Sequence, residues 1–217
     1  MVRAAERSGR PAASVRLLAA SKTVSAEALT AAVAAGLTDL GENRVQEAEE
    51  KIPLVRPKPR WHLIGHLQSN KARRAVALFD CIQTLDSERL AQGLDRRVGE
   101  LGRPTPLDVF VEVNVSGEAA KHGVRPDEVA ALVEAIRRRC PRLAVRGLMT
   151  VGPQVASPDE ARPAYRLLSR LADSVGLAER SMGMSGDYEV AIEEGATMVR
   201  VGSALFGARA PAAARRP

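Results

Sequence analysis

The sequence predicts a single-domain α/β protein, a (β/α)8 or TIM barrel of eight parallel strands alternating with helices. Three observations carry that expectation. Eight short apolar runs are each followed by a helical pattern. The length of 217 residues is enough for a small barrel. Neither the GxGxxG turn nor the GxxxxGK[ST] loop of an open nucleotide-binding sheet occurs.

The elements follow in order. Strand 15–21 runs into Lys22, and Ser25 opens a helix with Leu29 and Val33 on one face, stopped by Gly36. Strand 38–41 leads to Asn43 and Gln46, spaced as a capping box. Strands 61–65 and 81–85 are followed by Ser69 and Ser87 as candidate caps. After strand 107–113 comes a helix ending in Arg137-Arg138-Arg139, cations that complement its dipole. Beyond strand 144–150, Ser157-Pro158-Asp159-Glu160 joins a cap, a first-turn proline and an acidic third position. Strand 180–184 precedes a helix headed by Asp187 and stopped by Gly195. Strand 198–201 ends in a Gly-Ser turn and one helical turn, and the Ala/Arg/Pro tail 208–217 is expected to be disordered.

Composition excludes several classes. The net charge of +6 invites a nucleic-acid reading, but only six aromatics are available for stacking and part of the excess arginine lies at the chain ends. No apolar run approaches the ~20 residues of a membrane helix. Cys81 and Cys140 are too few for a disulfide framework, and no Cys/His cluster has zinc spacing. A cytoplasmic protein without a metal, membrane or nucleic-acid partner is expected.

In a barrel of this type, functional residues gather at the C-terminal ends of the strands. Those ends carry Lys22, Glu42-Asn43, His66, Asp86, Asn114, Thr150, Ser185 and the segment 200–203. Lys22 is one of only five lysines. Drawn into a barrel mouth, an amine loses hydration, favours its neutral form and attacks carbonyls to form a Schiff base. At the other end of the chain, Gly202 permits close backbone approach, Ser203 adds a hydroxyl, and the following amides suit a phosphate; Ser185-Gly186 offers further donors. Closure sets the first strand beside the eighth. A carbonyl-seeking lysine beside a phosphate cradle points to pyridoxal 5′-phosphate.

Several blocks carry a resemblance. They are Ala19-Ala20-Ser21-Lys22-Thr23, Gly41-Glu42-Asn43-Arg44, Trp61-His62-Leu63-Ile64-Gly65-His66-Leu67-Gln68-Ser69-Asn70-Lys71, Val113-Asn114-Val115-Ser116-Gly117, Arg146-Gly147-Leu148-Met149, Ser181-Met182-Gly183-Met184-Ser185 and Arg200-Val201-Gly202-Ser203. In order and spanning roughly residues 15 to 209, they resemble the pyridoxal-phosphate homeostasis protein family (YggS/PROSC type). The resemblance implies a barrel of the alanine-racemase N-terminal type, with pyridoxal phosphate on Lys22 as an internal aldimine. It sets Arg200 against the pyridine nitrogen, Ser185, Gly202 and Ser203 around the phosphate, and Asn43 near the ring or the lysine. His62 and His66, four apart, share strand parity and are expected on one side, as packing or rim residues.

The resemblance also weighs carrier against enzyme. An arginine at the pyridine nitrogen stays protonated and weakens the ring as an electron sink. Racemases of this fold add a tyrosine base from a C-terminal domain, for which no residues remain after strand eight. The expected function is therefore binding of pyridoxal phosphate in intracellular vitamin B6 and amino-acid homeostasis, by a monomer that buffers the cofactor or delivers it, with PLP-dependent apo-enzymes as candidate recipients. A slow amino-acid racemase and a basic nucleic-acid-binding module are the alternatives.

Overall fold

The eight apolar runs become eight parallel strands: β1 Arg16–Ala20, β2 Asp39–Glu42, β3 Arg60–Leu63, β4 Cys81–Leu85, β5 Leu107–Glu112, β6 Leu143–Met149, β7 Glu179–Ser181 and β8 Met198–Val201. The computed structural model describes residues 1–207, so the tail 208–217 lies outside the described residues. Each strand pairs with the next, and β8 returns to β1 in register Leu18↔Arg200 and Ala19↔Val201, closing the barrel. That closure brings the chain just after β1 against the turn just after β8.

Helices cover the outside: α1 Val2–Arg7, α2 Ala26–Ala34, α3 Val45–Lys51, α4 Ala72–Leu78, α5 Glu88–Glu100, α6 Val129–Arg139, α7 Arg162–Ser174, α8 Tyr188–Glu193 and the single turn α9 Ser203–Phe206. Trp61, Phe79, Leu94, Ile136 and Leu168 are buried in the core, each worth about 2 kcal/mol by area removed from water. No helix among the described residues is long and apolar enough to cross a membrane.

The start signals divide. Ser25 and Ser87 cap as expected, accepting from the amides of Ala28 and Leu90 at 3.3 Å. The capping box of Asn43 and Gln46 does not form: α3 begins at Val45 with Arg44 in the cap position. Ser69 lies inside a 3-10 turn ahead of α4, and the Ser157 side chain makes no capping bond. Asp187 stands at the head of α8, but its carboxylate accepts from the Met184 amide at 2.6 Å and the Tyr165 hydroxyl at 2.6 Å.

The barrel interior is layered and polar. At the N-terminal ends of the strands, Arg16 of β1 pairs with Glu179 of β7 and Asp108 of β5 with Arg60 of β3, joining alternate strands, while exposed Arg146 of the adjacent β6 also pairs with Asp108. Above them, His62 Nε2–H donates to Asp39 Oδ1 at 2.8 Å, and His62 Nδ1 accepts from Gln83 at 3.0 Å. Burial drives His62 below its ordinary value, so it is the neutral tautomer, with Asp39 ionised. Gln83 in turn accepts from Ser181 Oγ at 2.7 Å.

Candidate functional site

At the C-terminal mouth of the barrel lies a cavity of about 740 Å³, within the range of small-molecule sites. Lys22, Asn43, Ser185, Arg200, Gly202 and Ser203, all six candidates from the sequence, line it. They arrive from the ends of four strands.

Lys22 follows β1 directly, and the next residue turns the chain sharply: Thr23 has φ +65°. A β-branched residue in that region costs roughly 1–2 kcal/mol, strain that fixes the direction of the loop behind Lys22. The lysine borders the cavity but is exposed, which corrects the expectation that the barrel alone strips its water. Desolvation there requires a ligand or closure over the mouth.

Arg200 is fixed much more tightly. Its Nη1 donates to Ser181 Oγ at 2.8 Å and its Nη2 to the Thr150 carbonyl at 2.6 Å. Its Nε has no hydrogen-bond partner among the described residues, on a side chain that lines the cavity. Burial lowers its proton affinity, opposed by the fields of Tyr165, Glu112 and Asp187; a guanidinium remains charged at neutral pH all the same. The interior chain Asp39–His62–Gln83–Ser181 thus ends on this arginine.

The turn after β8 supplies converging amides. The N–H groups of Gly202 and Ala204 both donate to Ser185 Oγ, at the long distances of 3.3 and 3.4 Å. The amides of Ser203 and Gly186 have no partner among the described residues. Among the described residues, a Cβ on Gly186 would meet nothing within 4 Å, and one on Gly202 would press on Ala20 at 3.3 Å. These open donors, with no carboxylate among the described lining residues, fit a phosphate.

Asn43 is held through its backbone. A Cβ on Gly65 would lie 2.2 Å from the Asn43 carbonyl oxygen, so only glycine lets the loop after β3 pass there. Neighbouring Glu42 points elsewhere, accepting from Ser21 Oγ at 2.8 Å and Lys51 Nζ at 2.7 Å. The two histidines part company: His62 is sealed inside the barrel, while His66 lies beyond the end of β3 on the rim. Sequence reasoning gave no role to Thr23, Gly65 or Ser181. Thr150 stood among its strand-end candidates, but not as the carbonyl that orients Arg200.

Glu112, at the end of β5, was also missed. Its Oε2 is buried without a partner among the described residues, and burial, reinforced by Asp86 and opposed by Arg200, pushes it up to about 7. Unfolding returns it to about 4.5, so between these values the folded state binds more protons and stability falls as pH rises. Glu112→Gln is expected to raise stability above pH 7 by on the order of 2–3 kcal/mol, with the two proteins converging below pH ~4.5; urea unfolding at both pH values checks this.

The closed eight-stranded barrel, with an amine, a buried guanidinium and an open amide cradle at its mouth, is a barrel of the alanine-racemase N-terminal class. The family described as alanine racemase, N-terminal domain, matches residues 3–210. A pyridoxal phosphate homeostasis protein of Pseudomonas aeruginosa is 46% identical over 209 residues, covering 95% of this chain and 90% of that one. PipY of Synechococcus elongatus, solved with PLP bound, superposes with a TM-score of 0.82 at 38% identity, covering 94% of this chain and 98% of that one. An alanine racemase of Clostridium difficile shares the fold at a TM-score of 0.70 and 16% identity, over 92% of this chain and 54% of that one. The chain belongs to the pyridoxal phosphate homeostasis protein family.

Proposed function

We propose that this protein binds pyridoxal phosphate at the barrel mouth and serves its intracellular homeostasis. The observation that carries the reading is the cavity lining: among the described residues its ionisable groups are Lys22 and Arg200 alone, beside an amide cradle free of carboxylates. When bound, pyridoxal phosphate supplies an aldehyde carbon that condenses reversibly with a primary amine, releasing water. Lys22 Nζ is that amine, held in reach by the Thr23 turn. Gly202, Ser203, Ser185 and the Gly186 amide bind the phosphate oxygens. Arg200 Nε donates to the pyridine nitrogen and, staying charged, keeps that nitrogen unprotonated. Asn43 borders the ring. On this reading the chain acts in the cytoplasm as a monomer, and an amine of a PLP-dependent apo-enzyme displaces Nζ to take the cofactor.

Racemisation is not favoured. It needs a proton-transfer group on each face of the substrate, and Lys22 alone among the lining residues offers one. Tyr165 is fully buried with its hydroxyl committed to Asp187, and Tyr188 borders a different pocket. The loaded protein, incubated with L- or D-alanine in D2O, is expected to leave the α-hydrogen unexchanged beyond the rate with free pyridoxal phosphate. Lys22-dependent deuterium incorporation would overturn the carrier reading in favour of an enzyme.

A further inference from the structure

A second group of side chains sits on the same rim, outside the cavity lining. His66 follows β3, Asp86 follows β4, and His122 lies in the loop after β5. The chain has three histidines; one is sealed in the barrel, and the other two meet here. Their rings stack at 3.8 Å with 12° between planes. His66 Nδ1 lies 3.7 Å from Asp86 Oδ2, and one donor atom from each of the three residues falls within 4.8 Å of the others.

We propose that His66, Asp86 and His122 form a site for a first-row divalent metal ion of the zinc type. The chemistry of the donors selects the class. Two imidazoles and one carboxylate suit zinc, nickel or copper, whereas magnesium and calcium favour all-oxygen sets. Donors around a tetrahedral zinc lie about 3.4 Å apart, given bonds near 2.1 Å. The present spacing therefore closes with a shift of roughly 1 Å, most simply by turning one of the two exposed, stacked rings. Three protein donors leave a fourth position for water or a small ligand.

The donors are also uncommitted and well mounted. Neither ring nor the Asp86 carboxylate makes a hydrogen bond among the described residues, and the 3.7 Å approach is too long to count as one. The loop bearing His122 is stapled by Asn114, whose Oδ1 accepts from the Gly117 amide at 3.0 Å and whose Nδ2 donates to the Glu118 carbonyl at 2.9 Å. Gly123, at φ +107°, packs so closely that a Cβ would lie 2.7 Å from the Asn114 nitrogen. Thr84 Oγ1 donates to the Gly65 carbonyl at 3.0 Å, anchoring the loop that carries His66. An ion held here ties together the loops after three successive strands at the mouth of the barrel.

The test is equilibrium dialysis of the full chain against zinc, without added pyridoxal phosphate, with metal analysis of the retained fraction. One zinc per chain is expected for the wild type and for Lys22→Ala. His66→Ala and His122→Ala should each lose it, and Asp86→Asn should bind at least about tenfold more weakly, all with unchanged circular dichroism. In NMR spectra, zinc should shift two of the three imidazole signals and leave that of His62. Retention of no stoichiometric zinc by the wild type, or equal retention by both histidine variants, would overturn the proposal. Because zinc is measured without the cofactor and Lys22→Ala is expected to retain it, failure of the metal site is distinguishable from failure of the cofactor reading.

Discussion

Lys22→Ala is expected to remain folded and to lose the yellow colour that pyridoxal phosphate gives when bonded to a protein amine. The side chain is exposed and its removal leaves no hole in the core, so circular dichroism should match the wild type. What disappears is the only primary amine in the cavity lining among the described residues. The amide cradle remains and retains phosphate affinity alone. Binding of pyridoxal phosphate should fall at least about a hundredfold, a loss of ~2.8 kcal/mol, with the residual binding competed by inorganic phosphate. A variant that keeps wild-type colour and affinity would move the attachment to another lysine.

Arg200→Met is expected to change the character of the bound cofactor as well as its affinity. Methionine approximates the volume of the arginine stem but removes the donors to Ser181, Thr150 and the cavity. A hydrogen bond from a charged donor contributes about 1.5–3 kcal/mol, so affinity should drop roughly tenfold to hundredfold. Without a cation at its pyridine nitrogen the cofactor becomes free to take up a proton. The visible spectrum of the variant should then titrate across neutral pH, while that of the wild type stays constant. A pH-independent spectrum in both would show that Arg200 does not face the ring nitrogen.

The architecture was legible because its strands are short apolar runs mostly ended by a polar residue or glycine; the runs at 81–85, ended by Asp86, and 198–201, ended by Gly202, match β4 and β8 to the residue. The cavity was legible for the same reason: a closed barrel puts strand ends on one rim and β1 beside β8, so Lys22 and the Gly202–Ser203 turn had to be neighbours. Caps were less legible, because Ser and Asn serve equally in caps, 3-10 turns and tight loop contacts. Asn43 illustrates this, with its backbone wedged against Gly65 rather than capping α3. The support of Arg200 was legible only at Thr150, a polar residue at a strand end. His62, Gln83 and Ser181 lie on β3, β4 and β7, and their hydrogen bonds depend on which way side chains meet across the closed interior. Parity put His62 and His66 on one side, but β3 ends at Leu63, and beyond a strand the alternation no longer holds.

The central claim is that Lys22 carries the cofactor. The most direct measurement loads the wild-type protein with pyridoxal phosphate, reduces it with borohydride, and maps the modified peptide by mass spectrometry. One phosphopyridoxyl group per chain, on Lys22, is the predicted result. A label spread over several lysines, or a protein that takes up no pyridoxal phosphate, would contradict the account and leave this chain with the family's barrel but not the chemistry proposed for its mouth.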